Sequence, residues 1–152
     1  MTTTTTMAEV SGLVGQELGT SDWFEVTQDR VDTFADATGD HQWIHVDVER
    51  AKAESPFGGP IAHGYLTLSL LVPLIAETFV VTDTPMAVNY GLNKVRFPSP
   101  VPVGSRVRLT ATLKDVEQVA GGLQLTLAVV VEREGSEKPA CIAEPVYRYY
   151  GS

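Results

Sequence analysis

An α+β fold, an antiparallel sheet wrapped around a central apolar helix, is predicted by three observations. Residues 64–81 (GYLTLSLLVPLIAETFVV) are apolar on nearly every side, so a helix there has to be enclosed by other structure. Four β-rich runs follow it, at 86–97, 106–119, 123–133 and 140–150. The segments between those runs, PSPVPVGS, AGG and EGSEKP, are short and rich in turn residues, as antiparallel neighbours require.

Taken in chain order, the opening MTTTTTM has neither a basic start nor an apolar stretch, so it reads as no secretory signal or membrane anchor. Residues 1–10 are expected to be a disordered tail, with Met7 an alternative start, and 11–152 a single domain, the usual outcome for 152 residues. Residues 21–26 (SDWFEV) alternate loosely and predict a short strand. Thr27 offers a capping hydroxyl to a helix over 28–38, in which Val31, Phe34, Ala35 and Thr38 form one inward stripe. Gly39 stands where a helix ends in a left-handed residue. A loop over 40–46 follows, then a short helix over 48–53 capped by Asp47, and turn chemistry at 55–60 (SPFGGP). The 64–81 segment approaches the ~20 apolar residues of a bilayer span. Pro73 and Glu77 favour a buried core helix instead, one kinked or ended early by the proline.

Composition narrows the function classes. Eleven basic against nineteen acidic residues leave a net charge of −8, so there is no broad basic surface for nucleic acid. A hydrophobic share of 43% and a charged share of 20% are those of a globular chain. The single cysteine, Cys141, forbids an internal disulfide, fits a reducing cytoplasmic location, and reads as a buried structural thiol.

Reactive side chains are densest in Thr38-Gly39-Asp40-His41-Gln42-Trp43-Ile44-His45-Val46-Asp47. Asp40 and His45 would lie roughly 17 Å apart in an extended strand, so they meet only if the loop curls, which Gly39 permits. A carboxylate and an imidazole sharing one water form a general acid/base pair. The residue types leave other roles open: Asp40 satisfying loop amides, and His45 with Asp47 forming a local hydrogen bond and a cap. A metal would need His41 and His45 at helical spacing, with Asp47 or His63 as third ligand. Gly39 before that segment and Trp43, Ile44 and Val46 within it argue against a helix there, so no metal is expected.

Ile61-Ala62-His63-Gly64 opens the central helix. Gly64 allows close approach to a backbone N–H that would polarise a thioester carbonyl toward an enolate; equally, it allows tight helix packing. His63 reads as a structural hydrogen-bonding residue. In Asn93-Lys94-Val95-Arg96-Phe97, Lys94 and Arg96 share a face by alternation, either as a solvated surface or as contacts for the phosphates of an anionic ligand.

FADATGDHQWIHVDVERA, followed by FGGPIAHGYLTLSLL, resembles the signature of the MaoC-like dehydratases, the R-specific enoyl-CoA hydratases of the hot dog fold. That family's motif runs Gly-Asp-x-Asn-Pro-x-His, then Ile/Val-x-His-Gly at the start of the central helix. The resemblance implies that Asp40 and His45 are catalytic and that the Gly64 amide holds the thioester carbonyl. Gln42-Trp43 replaces the commoner Asn-Pro; Gln42 keeps a carboxamide that can orient water or the histidine, and a subset of the family carries this form. The activity implied is reversible syn addition of water to a trans-2-enoyl thioester. No cofactor is implied beyond the CoA or acyl-carrier protein borne by the substrate. A homodimer is implied as well, and long strands would leave edges that need cover. The same scaffold also hosts acyl-CoA thioesterases, and a non-catalytic acyl-CoA-binding module is a third possibility.

Overall fold

The computed structural model describes residues 2–151. Met1 and Ser152, which belong to the expected tail and domain, lie outside the described residues. In chain order the elements are β1 (Thr3–Thr5), a turn of 3-10 helix (Val10–Leu13), β2 (Glu17–Thr20), β3 (Phe24–Glu25), α1 (Gln28–Thr38), α2 (Trp43–Val46), α3 (Val48–Glu54), α4 (Gly64–Ser69) and α5 (Leu71–Ala76). Then come β4 (Phe79–Val81), β5 (Met86–Arg96), β6 (Arg106–Val119), β7 (Gly122–Arg133) and β8 (Cys141–Tyr150). The fold is α+β, as the sequence predicts.

The main sheet is antiparallel in the order β2-β6-β7-β8-β5, with β3 also paired to β6. Sheet order departs from chain order in one place: β5 crosses to pair with β8 and forms an edge. Between Leu92 and Val95, β5 carries one residue more than its partner, which spans only Pro145 to Ala143 there. A bulge is the natural accommodation for Pro145, which has no N–H to give a ladder.

Alternation places one face of the sheet on the core. Val107, Leu109, Ala111 and Leu113 of β6, and Leu123, Leu125, Leu127, Val129 and Val131 of β7, are buried. Against them pack Leu66, Leu70, Leu71, Leu74 and Ile75 of the central helices. Each large side chain so enclosed contributes roughly 1.5–3 kcal/mol, which is why an apolar helix and a wrapping sheet stabilise one another.

Several expectations are corrected. The tail is not disordered over the described residues: β1 pairs in parallel with β4, the Thr3 hydroxyl donates to the Leu18 carbonyl, and Met7 N donates to Asp83 Oδ1 at 2.8 Å. Threonine runs favour extended chain, and β4 offers an open edge to join. The single helix over 64–81 is two helices and a strand. Pro73 has no N–H for the Ser69 carbonyl and its ring crowds that group, so the helix breaks at Leu70. Phe79–Val81 is β4 because it completes the pairing with β1. The strand over 21–26 shrinks to Phe24–Glu25, while Glu17–Thr20, unforeseen, pairs with β6. The 40–46 loop contains the short helix α2. In α1, Thr38 is exposed and bonds back to the Phe34 carbonyl at 2.8 Å, so the inward stripe ends one turn early.

A chain beginning at Met7 lacks β1 and uncovers Phe79 and Val81, now buried. Its stability in urea is expected to fall by on the order of 1–3 kcal/mol; an unchanged unfolding midpoint would show that β1 contributes nothing.

Candidate functional site

The loop between α1 and α2 curls because both of its ends are controlled. At one end Gly39 takes φ 83°, a left-handed conformation that suits glycine, and its N–H caps the Ala35 carbonyl. At the other, α2 winds residues 43–46 into one turn, which shortens the path from Asp40 to His45. Asp47 then caps α3 through its carboxylate, Oδ1 accepting from Arg50 N at 3.1 Å.

His45 is buried, and two neighbours aim it. Its Nδ1 lies 2.7 Å from the carbonyl of Ile61, which can only accept, so Nδ1 carries the proton and Nε2 keeps the lone pair. The Ile61 N–H in turn donates to the Ile44 carbonyl at 3.0 Å, and Gln28 Nε2 donates to the His45 carbonyl at 2.8 Å. Burial pushes the His45 pKa below its ordinary value. The bond from Ile61 opposes that shift, the neighbouring His63 adds to it, and the Asp40 charge opposes it.

Asp40, His45 and His63 each present a ligand-type atom within 4.8 Å of the others. Asp40 is exposed and the histidines are buried. The His45 and His63 rings stack, centroids 3.8 Å apart and planes 24° apart, and Phe34 packs on His63 at 4.9 Å. These three residues are the ones that could hold a cation. Ring planes so nearly parallel send their in-plane lone pairs side by side rather than to a common point, and His63 Nε2 is already engaged with the Asp40 carbonyl. His41 and Asp47, the other ligands considered from the sequence, stand outside this cluster. His41 turns away to Asp36, 2.9 Å distant, which raises its pKa, and Asp47 is occupied as a cap.

Gln42 is exposed at the start of α2; its carbonyl accepts from His45 N at 3.0 Å, and its N–H donates to Asp40 Oδ1 at 3.3 Å. Gly64, next to His63, is the first residue of α4, where an N–H has no acceptor within the helix. It lines a cleft of about 310 Å³ together with Phe57, Ile61, Thr67 and Phe97. A Cβ at this position would lie 3.3 Å from the Phe97 ring, a tight contact that an added side chain would relieve by shifting the exposed ring a few tenths of an ångström. Lys94 and Arg96 are exposed on edge strand β5, outside this cleft; Arg96 Nη1 donates to the Val95 carbonyl at 2.7 Å. Cys141 is buried, its thiol pushed up to about 11 by desolvation, as a structural cysteine requires.

His63 is the member whose place in the cluster sequence reasoning underrated. Its position immediately before Gly64, in the segment that opens the central helix, was the available signal.

Comparison with known proteins gives the family and the fold. The family model described as MaoC like domain matches residues 9–134. The 3-hydroxyacyl-thioester dehydratase Z of Mycobacterium tuberculosis is 55% identical over 150 residues, covering 98% of this chain and 99% of its own. Among solved structures, a monoamine oxidase regulatory protein from Archaeoglobus fulgidus superposes with a TM-score of 0.79 at 24% identity, covering 100% of this chain and 99% of that one. An (R)-hydratase from A. caviae gives 0.72 at 24% identity, covering 88% and 94%.

An apolar helix enclosed by an antiparallel sheet, with polar side chains gathered at the helix start, is the hot dog class of protein. Within that class the chain belongs to the MaoC-like dehydratase family and is an enzyme of the hydro-lyase type.

His45 and His41 are expected to titrate on opposite sides of the ordinary value, His45 below pH 6.5 and His41 above it. Well above pH 6.5 His45 is neutral in both the folded and unfolded chain and contributes no pH dependence. As pH falls below 6.5 the unfolded chain takes up the proton first, so stability is lost down through the lowered folded pKa. Proton NMR titration of the ring resonances reads both midpoints, and the reverse order would refute the burial of His45.

Proposed function

We propose that the chain is an R-specific enoyl-CoA hydratase, working reversibly as a 3-hydroxyacyl-thioester dehydratase, with Asp40 and His45 as the catalytic pair. The observation that carries this reading is the approach of the Asp40 carboxylate to an imidazole whose tautomer is set by the Ile61 carbonyl. A water between them loses a proton to the pair as its oxygen bonds to C3 of a trans-2-enoyl thioester. The C2–C3 π electrons move to the thioester oxygen, and the enolate is discharged when C2 takes a proton back from the pair. The Gly64 N–H is the donor for that oxygen. Delivery of both groups from one side yields the R-3-hydroxyacyl thioester. Gln42, between the two in sequence, is the carboxamide we assign to orienting the water or the histidine. Lys94 and Arg96, on the strand that leads into Phe97, are the cations we assign to the CoA phosphates.

The chemistry as proposed needs no metal and no cofactor beyond the carrier on the substrate, either CoA or acyl-carrier protein. A single buried thiol suits the cytoplasm. No helix among the described residues is long and apolar enough to cross a membrane. We further propose a homodimer formed through β5, where Met86, Val88, Tyr90 and Leu92 recur at every second position, all exposed, along an unpaired edge.

Incubation with crotonyl-CoA should remove the enoyl-thioester absorbance without releasing thiol. Thiol release would identify a thioesterase, and binding without turnover an acyl-CoA-binding module. Asp40→Asn and His45→Ala should each lower kcat by on the order of 100-fold or more while the protein stays folded, whereas Gln42→Ala should cost less. Full activity in either of the first two would sink the assignment. In sizing experiments the chain should elute as a dimer, and Tyr90→Asp with Leu92→Asp should shift it toward monomer; a monomeric, active wild type would overturn the interface.

A further inference from the structure

We propose that His63 is a positioning residue that holds Asp40 in reach of His45. This role rests on the catalytic reading of Asp40 and His45 but has a structural consequence of its own. Asp40 follows directly on a helix end and is exposed, and the bonds within its loop are long: Asp40 N to Thr38 Oγ1 at 3.5 Å, and Gln42 N to Asp40 Oδ1 at 3.3 Å. Among the described residues, one hydrogen bond ties Asp40 to a distant part of the chain. It runs from His63 Nε2 to the Asp40 carbonyl at 3.0 Å, across 23 residues.

The rest of His63 suits a clamp. The carbonyl can only accept, so Nε2 carries the proton. That leaves Nδ1 bare, buried and without a protein partner among the described residues. The ring is 3% exposed, held between Phe34 at 4.9 Å and His45 at 3.8 Å, and its backbone caps α4 immediately before Gly64. One side chain therefore sets the Asp40 main chain and backs the His45 ring. An unpaired buried nitrogen is destabilising, so this imidazole weakens the core that encloses it while it orders the loop. A residue present only for packing would be replaceable by phenylalanine with a gain in stability and no loss elsewhere.

That contrast supplies the test. His63→Phe keeps the ring and removes the donor; His63→Gln returns an N–H at about the reach of Nε2. In His63→Phe the melting temperature should hold or rise, while kcat falls on the order of 10- to 100-fold with KM within about twofold, as expected when a reacting group is misplaced rather than lost. Amide hydrogen exchange across residues 40–46 should quicken in His63→Phe. His63→Gln should return both kcat and exchange toward wild type. Unchanged kcat in folded His63→Phe would overturn the proposal, and so would a His63→Gln variant no better than His63→Phe. If the wild type hydrates no enoyl thioester, the catalytic reading fails, and the exchange measurement still decides whether His63 holds the loop: unchanged exchange in His63→Phe overturns the clamp.

Discussion

The short segment from Pro60 to His63 holds the site to the sheet, and most of the remaining geometry depends on it. Its backbone is laced to the segment that leads into β6: Ala62 N donates to the Val101 carbonyl at 2.8 Å, Val103 N to the Pro60 carbonyl at 2.9 Å, and Ile61 bridges to Pro102. From the same four residues bonds run the other way, to Ile44, His45 and Asp40. A loop of polar residues would otherwise be free to reorder in water, because each of its groups can be solvated as well as paired. Here the main chain of 61 fixes a tautomer and a ring plane, and the side chain of 63 fixes a carbonyl. The loop that carries Asp40 and the short helix that carries His45 are thereby tied to backbone bridged to the segment leading into the sheet.

The sheet makes that anchoring possible, since its inner face is covered by α4 and α5. Their apolar side chains face β6 and β7, and the first turn of α4 is brought beside the 60–62 segment with its unpaired N–H groups at the cleft. Pro73 interrupts the helix at Leu70, and after α5 the chain extends as β4, paired with β1. At the far side of the sheet, β5 leaves an apolar edge beside the bulge opposite Pro145. A strand so exposed is poorly suited to water on its own, and this is the edge through which a second copy is proposed to pack.

Much of the fold was legible because its signals are local and strong. Thr27 and Gly39 mark both ends of α1, Asp47 marks the start of α3, and the four long strands fall within a residue or so of their turn-delimited runs. The errors fell where a distant partner decides. Thr3–Thr5 has no periodicity to read and becomes a strand only because β4 lies beside it. Phe79–Val81 continues an apolar run and is extended rather than helical for the same reason. Glu17–Thr20 is too short and too polar to announce itself, and pairing with β6 is what extends it.

The sequence by itself determined the class of fold, the family, and which residue types could do chemistry: a run of apolar residues needs a sheet around it, and the spacing from Asp40 to His45 and on to Gly64 is written in the chain. Tertiary structure alone decided which nitrogen of His45 is free, that His41 and Asp47 stand apart, and that His63 joins the pair. Those outcomes turn on hydrogen bonds between residues 16 and 23 positions apart, Ile61 to His45 and His63 to Asp40. No local propensity encodes such a bond, because its energy appears only after the sheet and the central helix have brought the two segments together.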